Sequence, residues 1–194
     1  MKNTAAIILA GGESSRMKQP KAFLKFDNHI TFVEKIIYEY QLAGVDKIII
    51  VLNDSYLDSE KERLLSQFDT KIIRVYNKHP EKGRQYSLYL GVSMLHEYEN
   101  CFIQNIDNPF VKANLIRSMI PLIQEEAYIS PTFKGKGGHP VLLSNSICNH
   151  ILNMKDDGLT LRDVLIKFNK ITIPSNASVL ININTELDYK QYFC

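Results

Sequence analysis

The chain has 194 residues, 45% hydrophobic and 23% charged, with a formal net charge of +2. That length buries one proper core without disulfides or a structural metal, and so small a net charge, with no dense Lys/Arg run, argues against a nucleic-acid partner. The cysteines Cys101, Cys148 and Cys194 are odd in number and widely spaced, which excludes a disulfide framework or zinc pattern and fits a reducing cytosol.

The apolar stretch Ala5–Ala10 is interrupted by Gly11-Gly12 far short of a membrane span and lacks a suitable cleavage site, so neither an anchor nor a signal peptide is expected. Thr4 to Leu9, Lys47 to Leu52, Lys71 to Tyr76 and Cys101 to Asn105 are short apolar runs of the kind buried on both faces of a parallel sheet. Helical spacing lies between them: Val33, Ile36, Ile37 and Tyr40 with Gly44 as the stop, then Leu88, Val92 and Leu95, then Ile116, Ile120 and Ile123. Alternating β and α segments imply right-handed crossovers and a doubly wound, three-layer α/β/α sandwich with a mostly parallel sheet. Further on, Ala127 to Thr132 and Pro140 to Leu143 read as strands around a Gly-rich loop, Lys134 to Gly138. Leu161, Val164, Leu165 and Phe168 read as a helix, Ile171 to Ile173 and Val179 to Ile183 as late strands, and the end as a short helix. No linker or repeat divides the chain, so residues 1–194 are expected to form one domain.

The first strand runs straight into Ala10-Gly11-Gly12-Glu13-Ser14-Ser15-Arg16. In open α/β sheets ligands bind beyond the carboxyl ends of strands, and paired glycines let backbone N–H groups approach a phosphate. Ser14 and Ser15 add hydroxyls, while Arg16 and Lys21 add a planar fork and a compact charge for phosphate oxygens. The same residues also suit a plain turn with exposed basic side chains. The loop is neither a Walker A sequence nor a G-x-G-x-x-G fingerprint.

Leu9-Ala10-Gly11-Gly12-x-Ser14-x-Arg16-Met17, followed by Pro20-Lys21-Ala22, resembles the signature of the MobA-like nucleotidyltransferases. That family includes the molybdenum-cofactor guanylyl- and cytidylyltransferases and, more distantly, sugar-phosphate nucleotidyltransferases. The resemblance implies a nucleotide-diphospho-sugar transferase fold, similar to GT-A, with Leu9, Ala10, Gly11, Gly12 and Ser14 on the nucleotide and Arg16 and Lys21 in catalysis. Gly83-Arg84-Gln85-Tyr86-Ser87-Leu88 resembles the family's base-binding segment. There Gly83 permits close approach and Ser87 bonds base or ribose, although a serine near a helix start also serves as a cap. Asp107-Asn108-Pro109 resembles the Asp-x-Pro segment whose Asp binds catalytic magnesium, a cation content with few carboxylates plus phosphates and water; the alternative is an Asp that organises the turn before Pro109. Gly138-His139-Pro140-Val141 resembles a stretch of the cytidylyl branch in which His139 bonds the acceptor phosphate, unless it is a solvent-facing residue of a Gly turn. Asn182-Ile183-Asn184-Thr185 resembles the family's Asp-Ile-Asn/Asp-Thr, with Asn182 in place of the second metal-binding Asp. Asn182 removes a charge, and Lys18 replaces the usual Gly after Arg-Met.

The implied reaction is attack by an acceptor phosphate on the α-phosphorus of a nucleoside triphosphate, with release of pyrophosphate. An anionic nucleophile requires no general base. Magnesium on Asp107 and Asn182 and the charges of Arg16 and Lys21 would carry catalysis. The segments around Gly83 and His139 favour CTP and a molybdopterin-type acceptor, whereas Gly11 favours GTP; another phosphometabolite or sugar phosphate is an alternative acceptor. A nucleotide-sugar glycosyltransferase is a rival, but Asn105-Ile106-Asp107 supplies half of its Asp-x-Asp pair. Asn182 leaves a non-catalytic nucleotide binder as a second rival. A monomer or small homo-oligomer in the cytoplasm, with no membrane partner, completes the expectation.

Overall fold

A computed structural model describes residues 3–12, 17, 19–57, 72–96, 99–154 and 159–193. In β1 (Thr4–Ala10) side chains point alternately to opposite faces: Ala6, Ile8 and Ala10 join one apolar core, Ile7 and Leu9 the other. β2 (Ile48–Asn53) divides the same way, with Ile48, Ile50 and Leu52 opposite Ile49 and Val51. With both faces covered, no polar residue is needed in alternation, and the runs are continuous and apolar. β3 (Ile72–Asn77) and β4 (Asn100–Asn105) complete a parallel set in the order β3-β2-β1-β4.

Beyond β4 the sheet becomes mixed. β5 (Ala127–Phe133) folds back through the two-residue β6 (Lys136–Gly137), and β7 (Val141–Leu143) slots antiparallel between β4 and β5. β8 (Asn169–Pro174) lies parallel to β5, giving an eight-stranded sheet. The expected α/β sandwich with a mostly parallel sheet is thus realised.

Helices cover both faces. α1 (Phe32–Leu42) starts at a capping box of Thr31 and Glu34, and Gly44, at φ 84°, follows its end. α2 (Gly83–Val92) packs Leu88 and Val92 on the opposite face. α3 (Ala113–Met119) joins α1, while α4 (Asn145–Asn153) and the short α5 (Leu161–Leu165) join α2. Phe168 falls beyond α5 and packs beside the His150 ring. The terminal α6 (Glu186–Phe193) has no fully buried residue; Tyr189 and Phe193 hold it against Phe26, Phe32 and Phe110.

One expected strand is absent. Val179 to Ile183 forms the end of a 3-10 turn, Ala177–Leu180, and then an irregular segment. Its backbone groups are claimed singly instead of by a neighbouring strand. The Asn108 amide donates to the carbonyls of Ser178 and Ile181, His139 N–H to that of Val179, and Ile183 N–H to that of Asp107.

α2 lies directly on the sheet because of Gly91. A Cβ there would come within 2.5 Å of Ile7 Cγ2 and 3.2 Å of Val51 Cγ2, both on fully buried side chains. Overpacking at such a point costs about 1–3 kcal/mol, and alanine's advantage in helix propensity, about 1 kcal/mol, offsets only part of it. Gly91→Ala should therefore lower the denaturant midpoint with an unchanged m-value.

Candidate active site

The strand order reverses between β1 and β4, and their carboxyl ends flank a crevice of about 210 Å³. Leu9, Ala10, Gly11 and Gly12 line it from β1, and Asn105, Ile106 and Asp107 from β4. Gly83, Arg84 and Ser87 line it from α2, and Lys21 from a 3-10 turn, Lys21–Phe23. Ser14 and Arg16 lie outside the described residues.

The Asp107 turn is braced from several directions. Gln104, fully buried, donates to the carbonyls of Asn105 (2.8 Å) and Asn108 (2.9 Å). Ile106 N–H reaches Leu9 O at 3.3 Å, and Ile183 N–H reaches Asp107 O at 2.7 Å. Asp107 Oδ1 is buried without a hydrogen-bond partner. Burial raises its carboxyl pKa above the ordinary value, against the opposing pull of Lys21 and Arg84.

Gly83 adopts φ 76°, a left-handed conformation that glycine allows without strain as α2 begins. Ser87 lies inside α2, beyond the capping position held by Lys82, which removes the cap reading. Its buried hydroxyl accepts from Asn77 Nδ2 at 3.0 Å, so its proton remains available to donate. Gly11 faces it: a Cβ at that position would stand 3.1 Å from Ser87 Oγ.

Lys21 Nζ donates to Asn184 Oδ1 at 2.7 Å, a residue 163 positions away. The Asp188 carboxylate fixes that segment by accepting from the N–H groups of Asn184 (2.9 Å) and Thr185 (2.8 Å), and these bonds lower its pKa. Asn182 is exposed, with its amide turned to Leu180 O at 3.5 Å. Sequence reasoning singled out Asn182 and passed over Asn184. The signal was the pair Thr185 and Asp188, a capping-box spacing that fixes where Asn184 points.

A larger hollow of about 670 Å³ adjoins the crevice, between α2, α5, β5 and the β6–β7 connection. Its charged lining residues are all cations, Lys82, Arg84, Arg162 and Lys170, set among Tyr128, Leu161 and Leu165. His139 lines it too, half-buried, with Nε2 2.9 Å from Asn105 Nδ2. Burial, with the Arg84 charge adding to it, lowers the His139 pKa from 6.5 to about 4, while the Ile103 carbonyl acts weakly the other way. Between those two values the unfolded chain binds the proton and the folded chain does not, so stability rises with pH across that window. The span corresponds to about 3 kcal/mol. Urea melts from pH 4 to 7 should show this slope in the wild type and lose most of it in His139→Gln.

Among the described residues no group of three or more His, Cys, Asp or Glu side chains forms a metal site, and no helix is long and apolar enough to cross a membrane.

The family model for the MobA-like NTP transferase domain matches residues 6–171. The chain belongs to that family of nucleotidyltransferases. The transferase domain is 32% identical over 137 residues to a bifunctional IPC transferase and DIPP synthase of Aquifex aeolicus, covering 68% of this chain and 28% of that protein. It is 25% identical over 201 residues to a probable molybdenum cofactor guanylyltransferase of Natranaerobius thermophilus, covering 97% of this chain and 94% of the relative. A solved nucleotidyl transferase from Methanothermobacter thermautotrophicus superposes with a TM-score of 0.79 at 20% identity, over 98% of this chain and 96% of the other, which establishes the shared fold.

Proposed function

We propose that the protein moves a nucleoside monophosphate from a nucleoside triphosphate to a phosphorylated small-molecule acceptor and releases pyrophosphate. The observation that carries this reading is the buried, unpartnered Asp107 carboxylate oxygen at the switch point, under the influence of Lys21 and Arg84. Such an oxygen fits a hard divalent cation, and a site with few carboxylates suits magnesium, which completes its shell with phosphates and water. Asp107 would hold the ion, with an amide oxygen of the 182–184 segment as second ligand. Asn182 is the one implied by the resemblance, and Asn184 already reaches Lys21. Bound there, magnesium would neutralise charge developing on the α-phosphate.

The chain's own residues do the rest by position and charge. Gly11 and Gly12 admit the triphosphate to the end of β1. Lys21 and Arg16 stabilise the departing pyrophosphate, while Gly83 and Ser87 receive the base or ribose. The cationic hollow beside His139 takes the acceptor, whose phosphate arrives as an anion and needs no base. CTP is the proposed donor. GTP is a second reading, favoured by the resemblance of Gly11 to the guanylyl branch.

A pyrophosphate-release screen with magnesium, four nucleoside triphosphates and a panel of phosphorylated metabolites including molybdopterin tests the reading. Release with one triphosphate–acceptor pair supports it. Silence across the panel, or turnover of nucleotide sugars only, would remove it.

A further inference from the structure

Arg84 is the one described residue that lines both the crevice containing Lys21 and Asp107 and the larger hollow beside it. Its guanidinium is held in place. Nη2 donates to Asn105 Oδ1 at 2.5 Å, which obliges the Asn105 amide to turn its NH₂ away, and there it stands 2.9 Å from His139 Nε2. An amide NH₂ only donates, so Nε2 is the unprotonated nitrogen and the ring proton sits on Nδ1. Nδ1 is buried, with the Ile103 carbonyl beside it. The chain of contacts from His139 through Asn105 ends at Arg84.

Resting on the transfer reading, we propose that Arg84 is a catalytic residue facing both the donor α-phosphate and the acceptor phosphate, with Asn105 and His139 as positioning residues that hold it on the seam. Two anions must approach each other for the reaction, and a cation placed between them lowers their repulsion. The guanidinium suits the task because one N–H on Asn105 leaves the remaining donors of the fork for phosphate oxygens. As the acceptor oxygen bonds to the α-phosphorus, the bond to the bridging oxygen breaks and its electron pair leaves with pyrophosphate. Arg84 keeps its proton throughout. His139 thereby has a different task from bonding the acceptor phosphate itself.

The test uses calorimetric titration of the full chain with two probes, α,β-methylene-CTP with magnesium and phenyl phosphate, each alone and together. Arg84→Gln, at an exposed position, should weaken both probes about tenfold or more, the scale of a lost charge-assisted hydrogen bond. His139→Leu should weaken both by a smaller factor, and His139→Gln, whose side-chain oxygen can accept from Asn105, should restore them. A purely structural histidine would alter thermal stability without this paired loss and rescue. The proposal falls if Arg84→Gln weakens one probe or neither, or if folded His139→Leu binds both normally; should that variant not fold, Arg84→Gln decides. Wild-type protein that binds both probes but releases no pyrophosphate from CTP itself with any phosphorylated acceptor of the panel would defeat the transfer reading and leave the shared cation standing. Wild-type protein that binds neither would defeat both.

Discussion

Asp107→Asn should reduce turnover by roughly a thousandfold, the several kcal/mol that a metal's charge supplies to a phosphoryl transition state. The same change should leave thermal stability equal or higher. Burial raises the Asp107 pKa, so the ionised carboxylate destabilises the fold at neutral pH, and a neutral amide of the same shape relieves that penalty. Loss of activity together with a retained or raised melting temperature separates a functional carboxylate from one that organises the Pro109 turn, whose removal would lower both. Magnesium with triphosphate should stabilise the wild type and not the variant. Normal turnover in Asp107→Asn would sink the metal assignment.

Lys21→Met should lower kcat/KM by roughly a hundredfold to a thousandfold, the scale of removing one preorganised donor from a developing oxyanion. Methionine keeps much of the length and removes the charge. Lys21 donates to Asn184 from a half-buried position, so a modest stability loss, about 1 kcal/mol, should accompany the change. The comparison with Asn184→Ala discriminates between two roles. If Lys21 acts on the triphosphate, Asn184→Ala retains most activity while Lys21→Met does not. If Lys21 is only a clamp between chain segments, the two variants should lose stability alike and activity little.

Much of the frame could be read from the residues because β1, β2 and β4 are buried on both faces, and burial of that kind writes itself as apolar runs, unbroken in β1 and β2 but ended in β4 by the buried Gln104 and Asn105. The crevice was legible for a related reason: Gly11-Gly12 follows such a run directly, Asp107 stands two residues past the end of β4, and the carboxyl ends of strands converge. The apolar stretch Val179 to Ile183 misled because hydrophobicity is shared by strands and by irregular segments pinned through side chains, here that of Asn108. Arg84 was passed over although its segment was noticed. Its significance comes from Asn105, 21 positions away, and from His139, 34 positions beyond that, and no local pattern records such a meeting. Asn184 was missed for the same kind of reason, since its partner Lys21 lies near the other end of the sequence.

The reach of Lys21 to Asn184 links the proposed phosphate site to the segment that leads into α6. α6 contributes no fully buried residue, and Tyr189, Tyr192 and Phe193 pack it against Phe26, Phe32 and Phe110, with Tyr189 Oη donating to Lys25 O at 2.8 Å. Segments anchored by so little burial open locally at a fraction of the free energy needed to unfold the whole. The Asn184 bond to Lys21 lies just before that helix, next to the fully buried Ile183. Amides of α6 should therefore exchange with solvent at an opening free energy well below that of β1 and β4, which hydrogen exchange measures.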